Sequence, residues 1–320
     1  NQLYAFESGF SLTGSVADER LPVRSSVIPS LVAALAQKLE VPVQYTGDPI
    51  DDEVDHRLDV LARNLLSHPN RSLITVGPSQ PAEVHALAWA INNRLGAIGH
   101  SVQLTHEPGP PEATQKVDQI TQLSERLVRS KVKTLLILGG NPVYDAPADL
   151  AFGSALDKLA AHGGHAIHLS VYHNETSIRC HWRLPRAHDL ECWGDGRTWD
   201  GTVSIQQPLI LPLFEGRSPI ELLALLTNDV LKTGRDIVKR TFTFGNEHQR
   251  SATTIEGLWH RSLRDGFVRN SQFKTVTEFE FVKTQPTPIT ATAPNGWELA
   301  FYPSRQVYDG RYANNGWLQE

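Results

Sequence analysis

Apolar residues recur at helical spacing and in short continuous runs through the first half of the chain, which predicts alternating helices and strands. Val54, Leu58, Leu61 and Leu65 mark one helix face, and Leu73-Ile74-Thr75-Val76 follows as a short strand closed by Gly77-Pro78. Ser79 and Pro81 open a second helix with Val84, Leu87, Ile91 and Leu95 on its apolar face, ended by Gly96 and Gly99. Val102 to Thr105 reads as a strand, and Val117, Ile120, Leu123 and Leu127 as a helix. The unbroken run Thr134-Leu135-Leu136-Ile137-Leu138 suits a strand buried on both faces. A helix around Leu150 to Leu159 and a strand around Ala166 to Val171 complete a β-α-β-α-β-α-β series. That order predicts the α/β class with a doubly wound, mostly parallel sheet.

The pattern loosens after residue 175. Pro185, Gly194, Gly196 and Gly201 punctuate a stretch containing Trp182, Trp193 and Trp199, which predicts loops and hairpins over the sheet. Ser218-Pro219-Ile220-Glu221 has the form of a capping box ahead of Leu222, Leu223, Leu225 and Leu226. A helix from Thr253 to Leu263 leads into alternating Phe and Val at 278 to 282, so the C-terminal portion is expected to be mixed and partly β. By length the chain is one large or two ordinary domains.

Composition narrows the function classes. The 320 residues carry 30 Lys+Arg against 35 Asp+Glu, a net charge of −5, which provides no electrostatic footprint for nucleic acid. No apolar run approaches the roughly 20 residues of a membrane span. Two cysteines exclude a disulfide scaffold and an all-cysteine iron–sulfur cluster held by these residues alone. There is no methionine and the chain opens Asn1-Gln2-Leu3, which leads us to expect a segment of a longer polypeptide.

The candidate chemistry lies at the ends of the predicted strands. Gly139-Gly140-Asn141-Pro142 follows the apolar strand at 134–138, where open parallel sheets bind ligands and glycines admit a ligand to the backbone. Gly77 with Pro78 and Ser79 is the equivalent turn two strands earlier, ahead of a helix N-terminus. The simpler reading of either turn is an ordinary strand-to-helix connection, and neither matches a phosphate loop or a dinucleotide fingerprint. Cys180, His181, His188 and Cys192, with Glu175 and Glu191 nearby, are zinc-competent residue types at a spacing that matches no common finger. Structural burial among tryptophans is the simpler reading. His165 and His168 sit three apart on a strand and therefore face opposite sides. Arg179, Arg183, Arg186 and Arg197 are readable as an anionic-ligand patch, but the interleaved Asp189, Glu191 and Asp195 are the expected partners at the surface. No Gly-x-Ser-x-Gly elbow is present.

Several stretches together resemble a known family. They are Asn1 to Ser8 with Thr13-Gly14 and Ala17 to Arg20, Gly139-Gly140-Asn141-Pro142 through Leu150, and Glu175-Thr176-Ser177 with Cys180 to Pro185. Glu191 to Asp195, Asp200 to Pro208, Tyr308 to Arg311 and Asn314 to Glu320 complete the set. In this order they resemble the molybdopterin-oxidoreductase-like part of the iron–sulfur subunit of alternative complex III, a quinol-oxidising respiratory complex.

The resemblance implies a fold shaped like a molybdopterin oxidoreductase but without the molybdenum cofactor, joined to a ferredoxin-like part that holds the iron–sulfur clusters. The organisation it implies is a lead-in segment 1–44 from a preceding domain, a Rossmann-like α/β domain 45–235, and a mixed helix and strand portion 236–320 leading toward the iron–sulfur domain. It implies no catalytic residue or metal ligand in this segment, which would serve as a scaffold and docking module within an electron-transport oxidoreductase complex. The expected partners are its own iron–sulfur domain and other subunits of a membrane-bound complex on the periplasmic side of the bacterial inner membrane. Nucleic acid and a direct membrane span are not expected. The cofactor-binding relatives share the elements seen here as Gly140-Asn141-Pro142, Glu175-Thr176 and Leu184-Pro185. Gly77, Gly139, Gly140, Asn141, Pro142, Glu175 and Thr176 thus form a candidate or relic pterin-nucleotide crevice. Two alternatives stay open: the cofactor-binding α/β part of an active oxidoreductase holding molybdopterin guanine dinucleotide, and an unrelated nucleotide-binding α/β domain.

Overall fold

The computed structural model describes residues 2–109, 116–245, 252–278, 288–291 and 296–320. The chain is α/β, with short parallel sheets and helices packed on them, in two compact units. The first comprises residues 1–104 and 275–302, the second residues 105–274 and 303–320. These limits do not coincide with the expected boundaries at 44/45 and 235/236. The reason lies in the cores: Leu31, Leu35 and Leu39 pack with Leu58, Leu61 and Leu87, which joins the lead-in segment to the residues that follow it.

In the first unit, β1 (Tyr4–Glu7) pairs in parallel with β2 (Glu19–Pro22) across the short helix α1 (Leu12–Ser15). Helices α2 (Ile28–Lys38), α3 (Asp52–Ser67) and α4 (Ala82–Arg94) supply the core. The Asp51 carboxylate accepts from the Glu53 N–H at 2.9 Å, and acidic residues fill the first turn of α3, where the helix dipole favours them. Val84, Leu87, Ile91 and Leu95 are buried on the predicted face of α4, and Gly96 takes a positive φ of 68° at its end. β3 (Tyr45–Gly47) pairs in parallel with Ile289–Ala291.

Two predicted strands of this unit do not form ladders. Residues 72–77 are extended, with Ile74 and Val76 against the core and Leu73 exposed, but the Ile74 N–H and C=O are bonded by the side chain of Asn92, both at 2.8 Å. An amide on a helix thus takes the place of a neighbouring strand. Val102 makes only an isolated bridge to Ile98, because its N–H turns back to the Ala97 carbonyl at 2.9 Å.

In the second unit, α5 (Lys116–Val128) precedes β4 (Thr134–Leu138), and α6 (Pro142–Asp145) and α7 (Phe152–Ala161) lead to β5 (His165–Ser170). After α8 (Glu175–Ile178) comes β6 (Trp182–Pro185). The three strands form a parallel sheet in the order β4-β5-β6. β4 is therefore an edge strand and only half-buried, contrary to the expectation of burial on both faces; β5 occupies the centre, with Ala166 and Leu169 buried. β6 lies in the stretch expected to be loops and hairpins. Leu127, Phe152, Leu156 and Leu159 close the core between α5, α7 and the sheet.

Beyond the sheet, β7 (Gly194–Arg197) and β8 (Val203–Gln206) make the expected hairpin. It packs with α10 (Gly234–Gly245) and α11 (Ala252–Asp265) around Trp259, whose ring meets Phe242 edge-on at 5.2 Å and stacks with Trp193 at 6.1 Å. At α9 (Pro219–Leu226) the capping box is complete: Ser218 Oγ accepts from the Glu221 N–H at 3.3 Å, and Glu221 accepts from the Ser218 N–H at 3.0 Å. The portion after 236 is chiefly helical among the described residues, with Ile289–Ala291 its named strand. The alternating Phe and Val positions from 279 onward lie outside the described residues. No described helix is long and apolar enough to cross a membrane.

Candidate functional site

The strand ends of the second unit bring six of the seven predicted site residues together. Gly139 and Gly140 follow β4 with φ of 83° and 76°, a left-handed pair that side-chain-bearing residues adopt only at a cost. The Gly139 N–H donates to the Leu169 carbonyl at 2.9 Å, so the turn is pinned to the central strand. A Cβ at Gly139 would stand 2.9 Å from Arg186 Nη1, which shows how closely the guanidinium lies over this backbone. Gly77 belongs to the first unit, between the extended 72–77 segment and α4, and its carbonyl accepts from the Gln80 N–H at 3.1 Å.

Asn141 closes this turn onto α8. Its Oδ1 accepts from the Thr176 N–H at 3.1 Å and from Thr176 Oγ1 at 2.8 Å, while its Nδ2 donates to Glu175 Oε2 at 2.7 Å. Thr176 Oγ1 in turn accepts from the Val143 N–H at 3.0 Å. Thr176 is fully buried, and the Asn141 hydrogen bond holds the Glu175 carboxyl below the usual carboxylate range. Pro142 starts α6, whose missing N–H costs nothing at that position.

Beneath this latch lies His168, which the strand periodicity places on the face opposite His165. His168 is fully buried and His165 exposed. His168 Nδ1 shares a 2.9 Å hydrogen bond with Ser177 Oγ, and Nε2 has no partner among the described residues. Burial pushes the imidazole pKa down against the opposing pull of the Gly140 backbone, which favours the neutral ring. Arg186 Nε is also buried and unpartnered among the described residues. The pairing of Ser177 with His168 was not anticipated; its one sequence signal is Asn174, three residues earlier, which caps α8 by accepting from the Ser177 N–H at 3.0 Å.

The zinc-competent residues have separate tasks. His181 Nδ1 accepts from the Ala166 N–H at 3.3 Å, and His188 with Glu191 caps the turn at 189–191. Burial raises the pKa of both cysteine thiols, Cys180 beside the core of α5 and α7 and Cys192 near Gln206. No described group of three His, Cys, Asp or Glu side chains is placed to hold a metal ion. Of the arginines, Arg186 pairs with Asp189 at 3.3 Å as expected, whereas Arg179 pairs with Asp157 and Arg197 lies over the Phe273 ring.

A shallow cleft of about 200 Å³ borders the turn, between Pro142, Val143, Phe152 and Arg179. Small-molecule sites occupy about 300–1,000 Å³, more than this cleft offers. Beside it, Asn141, Glu175 and Thr176 direct the polar atoms of the latch at one another.

No known protein-family profile matches the chain, and no curated protein does. Among solved structures, acetylene hydratase from Pelobacter acetylenicus is similar, with a TM-score of 0.44 and 13% identity, over 71% of this chain and 43% of that one. The chain thus spans less than half the length of that structure. At this TM-score and identity the likeness assigns no activity.

Proposed function

We propose that the chain is a non-catalytic scaffold and docking module of an electron-transfer iron–sulfur subunit, its fold derived from molybdopterin oxidoreductases. In its finer form the proposal makes it the corresponding part of alternative complex III, on the periplasmic side of the membrane, with the clusters carried by its own iron–sulfur domain. The order of the resembling sequence stretches supports this assignment. The observation that carries the non-catalytic reading is the latch: the Asn141 amide, the Thr176 hydroxyl and Glu175 Oε2 bond one another rather than converging on open space. A binding site instead presents a few convergent polar groups to its cavity. Calorimetric titration of the chain with GDP and GTP tests the reading. A flat titration is expected; saturable heat that Gly139→Val abolishes would overturn it.

A further inference from the structure

The segment 208–214 exposes large apolar side chains on a pinned backbone. The N–H groups of Leu209 and Ile210 donate to the Leu190 carbonyl at 2.8 and 3.3 Å, and the Leu213 N–H donates to Glu191 Oε1 at 3.2 Å. Pro208 and Pro212 are half-buried at the base of the ridge. Leu190, Leu209, Ile210, Leu211, Leu213 and Phe214 are 49% to 85% exposed. Six large apolar residues this exposed within one short stretch and the neighbouring Leu190 depart from the singly scattered apolar side chains ordinary on a monomer surface, and clusters of this kind mark interaction sites. Because the backbone is already ordered, little conformational entropy remains to be lost on docking.

At one end of the ridge stand Glu215 and Arg217, both exposed and without an ion-pair partner among the described residues. The carboxylates beside them are engaged within the chain, Glu191 with the His188 and Leu213 N–H groups and Glu221 with Ser218. The ridge is thus apolar along its length and ends in one free charge of each sign. In a two-fold contact residue i meets j while j meets i, so Glu215 against Arg217 of the other copy is automatically matched by the reciprocal pair. We propose that this ridge docks a second copy of the chain, forming a two-fold homodimer. The inference goes beyond the scaffold reading and does not rest on it.

Sedimentation equilibrium of the chain at micromolar concentration is expected to give twice the chain mass. Leu211→Asp is expected to give a monomer with an unchanged circular dichroism spectrum, and Phe214→Asp is expected to behave alike. Glu215→Arg and Arg217→Glu alone are each expected to weaken the dimer about tenfold, as like charges then face each other, and the double variant to restore it. A monomer throughout, a dimer indifferent to Leu211→Asp, or a monomer that co-sediments with phosphatidylcholine vesicles through the ridge would overturn the proposal.

Discussion

Two stretches with the same local signature take different structures. Leu73 to Gly77 and Leu135 to Gly140 each read as a short apolar strand, then glycine, then a helix. The second is strand β4, paired along its length with β5, and its glycines hand the chain to a latch on α8. The first is extended with the alternation of a strand, yet its ladder is replaced by the two ends of the Asn92 amide. Local sequence sets the extended conformation; a sheet also needs a neighbour whose free backbone groups match.

Equivalent truncations probe that difference. Leu169→Ala, on the central strand and fully buried, is expected to lower unfolding free energy by about 2–5 kcal/mol in urea denaturation. Leu73→Ala, at a side chain 52% exposed, is expected to cost under about 1 kcal/mol. Equal losses would mean that the 72–77 segment carries core packing like β5. Next in size is Asn92→Ala, which strands the N–H and C=O of Ile74; a loss of roughly 2–3 kcal/mol is expected. Hydrogen exchange at Ile74 should accelerate in that variant while exchange in β5 stays slow.

Asn141→Ala opens the latch at the surface and is expected to cost about 1–2 kcal/mol, with proteolysis appearing first between Gly139 and Ala146. The smallest effect is that of Glu175→Gln. The folded-state pKa of Glu175 is depressed, so its contribution is present above the unfolded carboxylate pKa and lost as pH falls through the lowered value. The wild-type chain should lose slightly more melting temperature than Glu175→Gln across that acidic window, and the two should be parallel above it. The effect is small because the carboxylate is solvent-exposed.

The helices were legible because their apolar spacing is local: the faces of α3 and α4, the capping box at Ser218 and the hairpin at 194–206 all stand where periodicity and turn residues put them. Strand partners were not, since pairing is non-local. Nothing in Trp182-Arg183-Leu184-Pro185 announces that it pairs beside β5, and nothing in the apolar run at 134–138 announces an edge. At the candidate site, Gly139 to Pro142 and Glu175-Thr176 were legible as a group. The closure of the Asn141 amide on Glu175 and Thr176 spans more than thirty residues of chain, and the burial of His168 beneath it depends on the packing of α8 on β5. Both follow from tertiary geometry alone.

The scaffold reading proposed above has this α/β fold kept for docking and not as a cofactor site. Molybdenum and pterin content of the native, full-length polypeptide tests it most directly. The account predicts iron without stoichiometric molybdenum or pterin; one molybdenum with bound guanine nucleotide per polypeptide would contradict it.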